Sequence, residues 1–349
     1  MEKENKNLDI NSFEGRWALA LKAMNGPLPE MGVTKRKAVW KKNKAVLWYY
    51  PPAEKKYRVP VFIIYSLINK PIILDLSPEN SMIGSFVNEG FEVYLLDFGE
   101  PGYEDGGISI SDYVSDYIQK GVRKALRHSS AKEITLYGTC LGGTLAAMYA
   151  AIAKEPVKNL ILSTTPIDFS DPPGFDQWTE AIREGEVDVD EWLDAMQIVP
   201  GFLVNKGLDF VTFPIHFSHY LTLLSRVEDP NYVDKWRRID HWTKDHIPLT
   251  GASIKQMTND FVKKNKLVKG SIKIKNKKAS LKNIKANLLV IAAENDSLVP
   301  EKMVKPIMEL VSSRDKTYRL LAGGHTSFSP GTFPPFLAEW LPERSDPRK

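Results

Sequence analysis

Cysteine is almost absent. The 349 residues contain one, Cys140, so no disulfide can form within the chain. A lone unpaired cysteine fits a reducing compartment, and a cytoplasmic location is the expectation. Strong charge of either sign is also missing. Lys and Arg number 47 against 43 Asp and Glu, a formal net charge of +4, which is too small to point to nucleic acid. The first 17 residues (MEKENKNLDINSFEGRW) hold no apolar run, so no signal peptide is expected. Long apolar runs are scarce as well. The longest uncharged run, residues 134–153, is long enough to be weighed as a membrane span. Gly138, Cys140, Gly142 and Gly143 break it into a β-like run and an Ala-rich helix, so a buried strand, turn and helix is expected and no transmembrane segment. With 43% hydrophobic and 26% charged residues, the composition excludes a disordered or fibrous chain.

What is present reads as alternating strands and helices. Residues 35–44 (KRKAVWKKNK) carry six basic side chains ahead of the apolar 45–50, as in a hairpin with a basic turn. Apolar runs at 61–68, 92–98, 134–137 and 159–163 predict buried strands. Between them, 81–88, 112–127 and 141–153 have helical character, the second capped by Ser111 or Asp112. The alternation stops near Asp168. It resumes with a strand at 287–293, a helix near 303–312, a strand at 317–321 and a short helix at 335–341. This pattern predicts an α/β domain with a mostly parallel central sheet and helices on both faces. The domain is built from residues 1–168 and 286–349, and residues 169–285 form a large cap insertion over the strand ends where ligands bind.

Gly138-Thr139-Cys140-Leu141-Gly142-Gly143 lies between a strand and a helix. That is the nucleophile-elbow pattern of α/β hydrolases, with cysteine in the place of serine. The nucleophile sits in a strained turn, so neighbours two residues away must lack a Cβ. The Leu141 N–H then faces the reacting carbonyl oxygen at a helix N-terminus. The alternative, a buried cysteine next to packing glycines, does not account for the strand before this motif and the helix after it. In this fold the acid and then the histidine follow the nucleophile. Asp296 follows the strand at 287–293, and His325 follows the strand at 317–321 after Gly323-Gly324. The candidate triad is therefore Cys140, Asp296 and His325. His325 takes the thiol proton, and Asp296 fixes its tautomer. The second oxyanion donor is expected in the loop after the strand at 61–65, near Leu67. His128, His216, His219, His241 and His246 read as ordinary histidines, Asp168 as a turn residue. No metal-binding set emerges.

At these residues the chain resembles the catalytic subunit of polyhydroxyalkanoate (poly-3-hydroxybutyrate) synthases. The resemblance is to the short, two-subunit type (class III/IV-like). It runs from about Lys35 to His325. Its blocks are YSLINKPIILDL (65–76), LLDFGEP (95–101), YGTCLGG (137–143), TPIDFS (165–170), HWTKDHIP (241–248), 260–270 and 294–300. It implies an α/β-hydrolase fold with a mobile cap. It also implies an acyltransferase that polymerises short (R)-3-hydroxyacyl-CoA into polyhydroxyalkanoate, with release of CoA, through a covalent acyl-cysteine on Cys140. The aspartate position is tied to the histidine or to activation of the substrate hydroxyl, so Asp296→Asn is expected to spare acylation more than elongation. No cofactor is expected beyond the CoA thioester itself. Implied partners are the growing polyester or granule surface, a second copy of the chain, and a second small synthase subunit. Phe98, Val262 and the short Pro-rich stretch 326–335 depart from the family pattern.

Two further readings follow from the residues. One is a Cys-dependent α/β hydrolase of the dienelactone hydrolase or thioesterase kind, the other a non-catalytic granule-associated relative. Residues 263–285 hold ten lysines and no acid. They read as a solvated loop or hairpin, or as an electrostatic trap for CoA phosphates or an acidic partner. The apolar and aromatic residues Trp178, Trp192, Phe202, Phe210, Phe213, Phe217 and Tyr220 are expected to fill the cap core.

Overall fold

The computed structural model describes residues 12–173, 176–186, 190–327 and 334–348. Eight strands form one sheet: β1 (Lys37–Lys42), β2 (Ala45–Tyr50), β3 (Val61–Ile64), β4 (Val93–Asp97), β5 (Ile134–Thr139), β6 (Val157–Ser163), β7 (Asn287–Ala293) and β8 (Lys316–Leu321). Their spatial order is β1-β2-β4-β3-β5-β6-β7-β8. The hairpin β1–β2 is antiparallel and joins β4 antiparallel; every later pairing is parallel. The central strands are apolar on both sides because both sides are covered. Phe62, Ile64, Leu136, Leu160 and Val290 enter one core cluster. Val61, Ile63, Tyr137, Ile161 and Ile291 enter the other. A period of two assigns alternate residues to opposite faces.

Helix α1 (Phe13–Met24) precedes the sheet, and α2 (Met82–Asn88) starts at Ser81, whose hydroxyl accepts from the Gly84 N–H at 2.7 Å. A helical stretch runs through Ile110–Asp112, π-helical Tyr113–Ile118 and α3 (Gln119–Ser129). Its cap is Ser109, not Ser111 or Asp112. Ser109 accepts from the Asp112 N–H while the Asp112 carboxylate returns to the Ser109 N–H, so Asp112 closes a capping box as its third helical residue. Helix α4 (Leu141–Ala150) follows the elbow. The helix expected near 303–312 is two short pieces, Glu301–Val304 and Ile307–Leu310, separated at Pro306. The uncharged run 134–153 is strand, turn and helix, and among the described residues no helix is long and apolar enough to cross a membrane.

Between β6 and β7 the chain makes a largely helical excursion: α5 (Asp176–Glu184), α6 (Asp190–Ala195), α7 (Gly201–Arg226), α8 (Pro230–Lys244) and α9 (Gly251–Met257), the last continued by π-helical Thr258–Lys263. Its parts pack differently. Helices α7 and α8 close a small cluster with α1 through Ala20, Ala23, Leu223, Val227, Val233 and Trp236. The segment after α9 joins the main core through Phe261, Leu267, Ile272, Ile274, Leu281 and Ile284. The lysines between those apolar positions point outward, around a hairpin pairing Lys273–Ile274 with Lys277–Lys278. Phe202 and Phe217 are not core residues; they are 67% and 59% exposed, because α7 has one packed side and one open side. Tyr220 does pack, 5.4 Å from the Trp236 ring, and its hydroxyl donates to Asp240. The side chains of Trp178, Trp192, Phe210, Phe213 and His216 lie outside those described.

Candidate active site

The elbow forms because β5 ends directly against β3 and β6. Ile64 is in register with Gly138, and the Cys140 N–H donates to the Ser163 carbonyl at 3.0 Å. Cys140 itself has φ 51° and ψ −133°, a conformation that non-glycine residues rarely adopt and that persists only where the surroundings enforce it. A Cβ on Gly138 would collide with the Gly143 backbone, and one on Gly142 with the carbonyl groups of Ile64 and Tyr65. Side chains at those two positions would push the turn away from its neighbours. The Cys140 carbonyl accepts from the Gly143 and Thr144 N–H groups. The Leu141 N–H, at the first turn of α4, has no helical acceptor to its N-terminal side.

Asp296 and His325 come from the ends of the two neighbouring strands. Asp296 lies three residues beyond β7, and His325 four beyond β8, after Gly323 at φ 129°. The Asp296 side chain is fully buried. Its Oδ1 accepts from the Leu298 and Val299 N–H groups at 3.0 and 2.8 Å, and its Oδ2 faces His325 Nδ1 at 2.8 Å. Both oxygens are thus engaged within the protein, and the side chain is closed off from solvent. Cys140 is the imidazole's other electrostatic neighbour. Burial opposes a charged imidazole. The Cys140 charge, the hydrogen bonds to Asp296 and Cys140, and the Asp296 charge outweigh it and lift the His325 pKa to about 10. An imidazolium is the charge partner that cysteine nucleophiles use when they attack a carbonyl.

Leu67 is buried in the loop after β3, alongside the elbow. The Ile68 N–H is engaged by Ser66 Oγ at 3.2 Å, whereas the Leu67 N–H makes no hydrogen bond among the described residues. An amide without an internal acceptor is the kind of donor an oxyanion site needs.

The sequence blocks are brought together in pairs. In the first pair, Ile247 N–H donates to the Ile68 carbonyl at 2.8 Å, and Trp242 Nε1 to the Lys70 carbonyl at 2.8 Å. Lys70 Nζ bridges Glu100 and Asp245 at 2.9 Å each. The 65–76 and 241–248 blocks therefore lock one wall of the site. In the second pair, Asn265 Nδ2 donates to Asp168 Oδ1 at 2.8 Å, and Phe169 stacks on Phe261 with centroids 4.9 Å apart. Asp168 is a turn residue, accepting from the Ser170 N–H.

The residues that depart from the family pattern have defined places. Phe98 is buried edge-on against Tyr113, 5.1 Å between centroids. Val262 offers its carbonyl to Arg183 Nε at 2.9 Å. After the Pro-rich stretch, of which residues 328–333 lie outside those described, α10 (Pro335–Glu343) is a regular helix burying Leu337, Trp340 and Leu341.

The remaining described histidines stand apart from the triad's hydrogen bonds. His128 Nδ1 meets the Tyr94 hydroxyl at 2.7 Å, at the C-terminal end of α3. His219 stacks on Trp236. His241 lies 4.0 Å from Asp245, and His246 bridges Asn69 through its backbone. Among the described residues no group of three or more His, Cys, Asp or Glu side chains is placed to hold a metal ion. Tyr65, whose phenol feels the Cys140 charge, escaped the sequence reading because it looked like one more apolar strand residue.

Known proteins match this arrangement over most of the chain. A family model described as the alpha/beta hydrolase fold matches residues 59–332. Another, for the poly-beta-hydroxybutyrate polymerase (PhaC) N-terminus, matches residues 29–86. The chain is 34% identical over 324 residues to a poly(3-hydroxyalkanoate) polymerase subunit PhaC of Haloferax mediterranei, covering 90% of this chain and 65% of that longer protein. With the subunit of the same description from Thiocystis violacea it shares 30% identity over 331 residues, 92% of each chain. Among solved structures, a soluble variant of monoglyceride lipase from Saccharomyces cerevisiae aligns with a TM-score of 0.55 at 16% identity, covering 92% of this chain and 99% of the lipase. That last likeness concerns the fold. The identity shared with the Thiocystis subunit over 92% of each chain, together with the hydrolase-fold model, places the chain in the PhaC family of poly(3-hydroxyalkanoate) polymerases, within the α/β-hydrolase superfamily.

Proposed function

We infer that this chain polymerises (R)-3-hydroxyacyl units from their CoA thioesters into polyhydroxyalkanoate, using Cys140 as the covalent acyl carrier. The observation that carries the reading is a cysteine, rather than a serine, at a strained elbow beside a histidine held protonated, in a chain of this family. A thioester passed to a cysteine remains a thioester. The acyl group stays activated for the next transfer, which a serine ester would not preserve.

Two steps suffice. The Cys140 thiolate attacks the thioester carbonyl, and the oxyanion is held by the Leu141 and Leu67 N–H groups. The bond to the CoA sulfur breaks, and that sulfur takes the proton from His325. The 3-hydroxyl of a second unit then gives its proton to His325 while its oxygen attacks the acyl-cysteine. Cys140 leaves as a thiolate, and the chain is one unit longer. Asp296 holds the Nδ1 proton throughout. No cofactor enters either step.

Residues 169–285 serve as the cap in this reading, excluding water that would hydrolyse the acyl-enzyme. The working assembly is a homodimer or a complex with a second small synthase subunit, at the surface of the growing polyester in the cytoplasm. The test is CoA release from (R)-3-hydroxybutyryl-CoA with identification of the product, with and without a candidate small subunit. Insoluble polyester supports the reading. Free 3-hydroxybutyrate alone points to a hydrolase, and no release from a folded chain points to a non-catalytic relative.

A further inference from the structure

In the steps above the loop after β3 carries the second oxyanion donor. That loop has no regular structure of its own between Ile64, the last residue of β3, and the 3-10 turn Pro71–Leu74. Within it, Ser66 Oγ accepts from the Ile68 N–H at 3.2 Å. Further support comes from a short piece of the excursion. Trp242, in the last turn of α8, donates its indole N–H to the carbonyl of Lys70, 172 residues earlier, at 2.8 Å. Ile247 donates its backbone N–H to the Ile68 carbonyl at 2.8 Å, and His246 pairs with Asn69 through the backbone. Residues 242–247 thus run antiparallel to 68–70 and grip three consecutive residues, Ile68, Asn69 and Lys70.

The inner end of the same loop touches the elbow. The Tyr65 carbonyl stands where a Cβ on Gly142 would fall, so the chain leaves β3 pressed against the turn that carries Cys140. Leu67 and Leu141 enter one core cluster, and Ser66 and Leu67 share a cleft with Ile247, Pro248 and Leu249. The loop is therefore held between the elbow on one side and the excursion on the other. Two kinds of contact make the outer grip, and burial ranks them. Trp242 and Ile247 are 6% and 5% exposed, and a hydrogen bond made there keeps its strength because water does not compete for it. The Lys70 bridge to Glu100 and Asp245 is half-exposed, and ion pairs of that kind add little. The indole and the amide hold the loop more firmly than the lysine does.

We propose that Trp242 is a positioning residue for acylation: its indole N–H, through the Lys70 carbonyl, holds the loop after β3 where a backbone N–H meets the oxyanion formed on the thioester carbonyl. Such donors help only when they are already aimed at the place where charge develops. A loop released at its outer end therefore loses rate without losing substrate. The excursion then has a second task besides excluding water. It completes the catalytic site, and residues 242–247 lifted off the loop would leave Cys140 in place with its oxyanion poorly supported. The inference rests on the second oxyanion donor coming from this loop, as described under Proposed function.

The experiment compares two reactions of Cys140 in the wild-type chain and in Trp242→Phe, which keeps an aromatic ring in the core and removes the N–H. Acylation by (R)-3-hydroxybutyryl-CoA passes through an oxyanion. Alkylation by iodoacetamide uses the same sulfur and forms none. Trp242→Phe should lower the saturating single-turnover rate of CoA release by about tenfold, the upper size of one neutral hydrogen bond and short of the roughly 10²–10³ lost with a whole oxyanion donor. The half-saturating concentration and the alkylation rate should both stay within about twofold of wild type, less than one such bond is worth. Equal loss in both reactions overturns the proposal and makes Trp242 a support of the elbow as a whole. A change in half-saturation alone overturns it too, since Trp242 would then belong to the substrate pocket, and so does no change in either reaction. Should Trp242→Phe fail to fold, 3-benzothienylalanine at position 242, with sulfur in the place of the indole N–H, must show the same selective loss; an unaltered acylation rate contradicts the contact. A wild-type chain that releases no CoA overturns the functional reading. The same ratios are then required of p-nitrophenol release from p-nitrophenyl acetate, which acylates a cysteine through an equivalent oxyanion, and a chain inert to both esters overturns the two together.

Discussion

Asp296→Asn confronts the site with a problem of counting. The carboxylate accepts three hydrogen bonds through two oxygens: Leu298 and Val299 N–H on Oδ1, His325 Nδ1–H on Oδ2. An asparagine has one oxygen and one NH2. With the oxygen kept on the backbone pair, the NH2 points at Nδ1 and forces the imidazole to carry its proton on Nε2. That nitrogen can then no longer accept the proton of Cys140 or of an incoming hydroxyl. The equivalent change in a Ser-His-Asp enzyme lowers kcat by about 10⁴ through the wrong tautomer. With the oxygen turned to His325 instead, two backbone donors face an NH2, a penalty of about 2–6 kcal/mol from two unsatisfied groups. Even the mildest outcome loses a charge-assisted hydrogen bond, about 1.5–3 kcal/mol, or roughly 10–150-fold in rate. Acylation should therefore slow by about 10–10⁴. Elongation should slow by the same factor, because both steps use the same nitrogen of the same imidazole. Single-turnover CoA release measures the first, and chain growth from a pre-acylated enzyme measures the second. Acylation within about threefold of wild type (against the 10–150-fold floor above) with elongation abolished would refute the reasoning. Asp296 would then act on the substrate hydroxyl, as the family resemblance alone allows.

His325 should hold its proton through neutral pH and release it near 10. In Cys140→Ala the sulfur's favourable contribution is gone, so the titration should move down; imidazole NMR resonances against pH report it, and an unmoved titration would deny that Cys140 helps to hold the His325 proton. Gly142→Ala drives a Cβ into the Ile64 and Tyr65 carbonyls; the chain should lose about 1–3 kcal/mol of stability in denaturant melts and most of its acylation rate, whereas a neutral outcome would mean the elbow is less tightly enclosed than described. Replacing the exposed Lys273, Lys277 and Lys278 by Glu should raise KM for acyl-CoA several-fold at low ionic strength and not at high salt, where the Debye length falls to about 3 Å; an unchanged KM at low salt removes any part for this hairpin in capturing the CoA phosphates.

The elbow and the Asp296–His325 pair were legible in the sequence because each member lies just past a strong strand signal. The parallel sheet brings those strand ends to one edge, with β7 beside β8 and β5 separated from β7 by β6 alone. The glycines around Cys140 carried the turn with it. The excursion between β6 and β7 was harder to read. Helix α7 is apolar and aromatic around much of its circumference and runs through Pro214, so neither a clean stripe nor a clean break marks it. The segment after α9 shows lysines to the eye, yet the residues between them complete the main core. The start of the helical stretch at Ser109 was missed because Asp112 was read as a cap, when it is the distal partner of one. Tyr65 was invisible for a different reason. A fully apolar run gives no hint that the carbonyl of its Tyr65 will close over Gly142 in the elbow. That is a matter of register between β3 and β5.

The central claim is that Cys140 carries the acyl group from CoA to the chain. Its most direct test is mass spectrometry of the enzyme quenched within one turnover of (R)-3-hydroxybutyryl-CoA, followed by a chase with unlabelled substrate. The account predicts a 3-hydroxybutyryl adduct on the peptide containing Cys140, absent in Cys140→Ala, whose label passes into polyester during the chase. An adduct that is absent, that sits on another residue, or that chases only into free 3-hydroxybutyrate would contradict it.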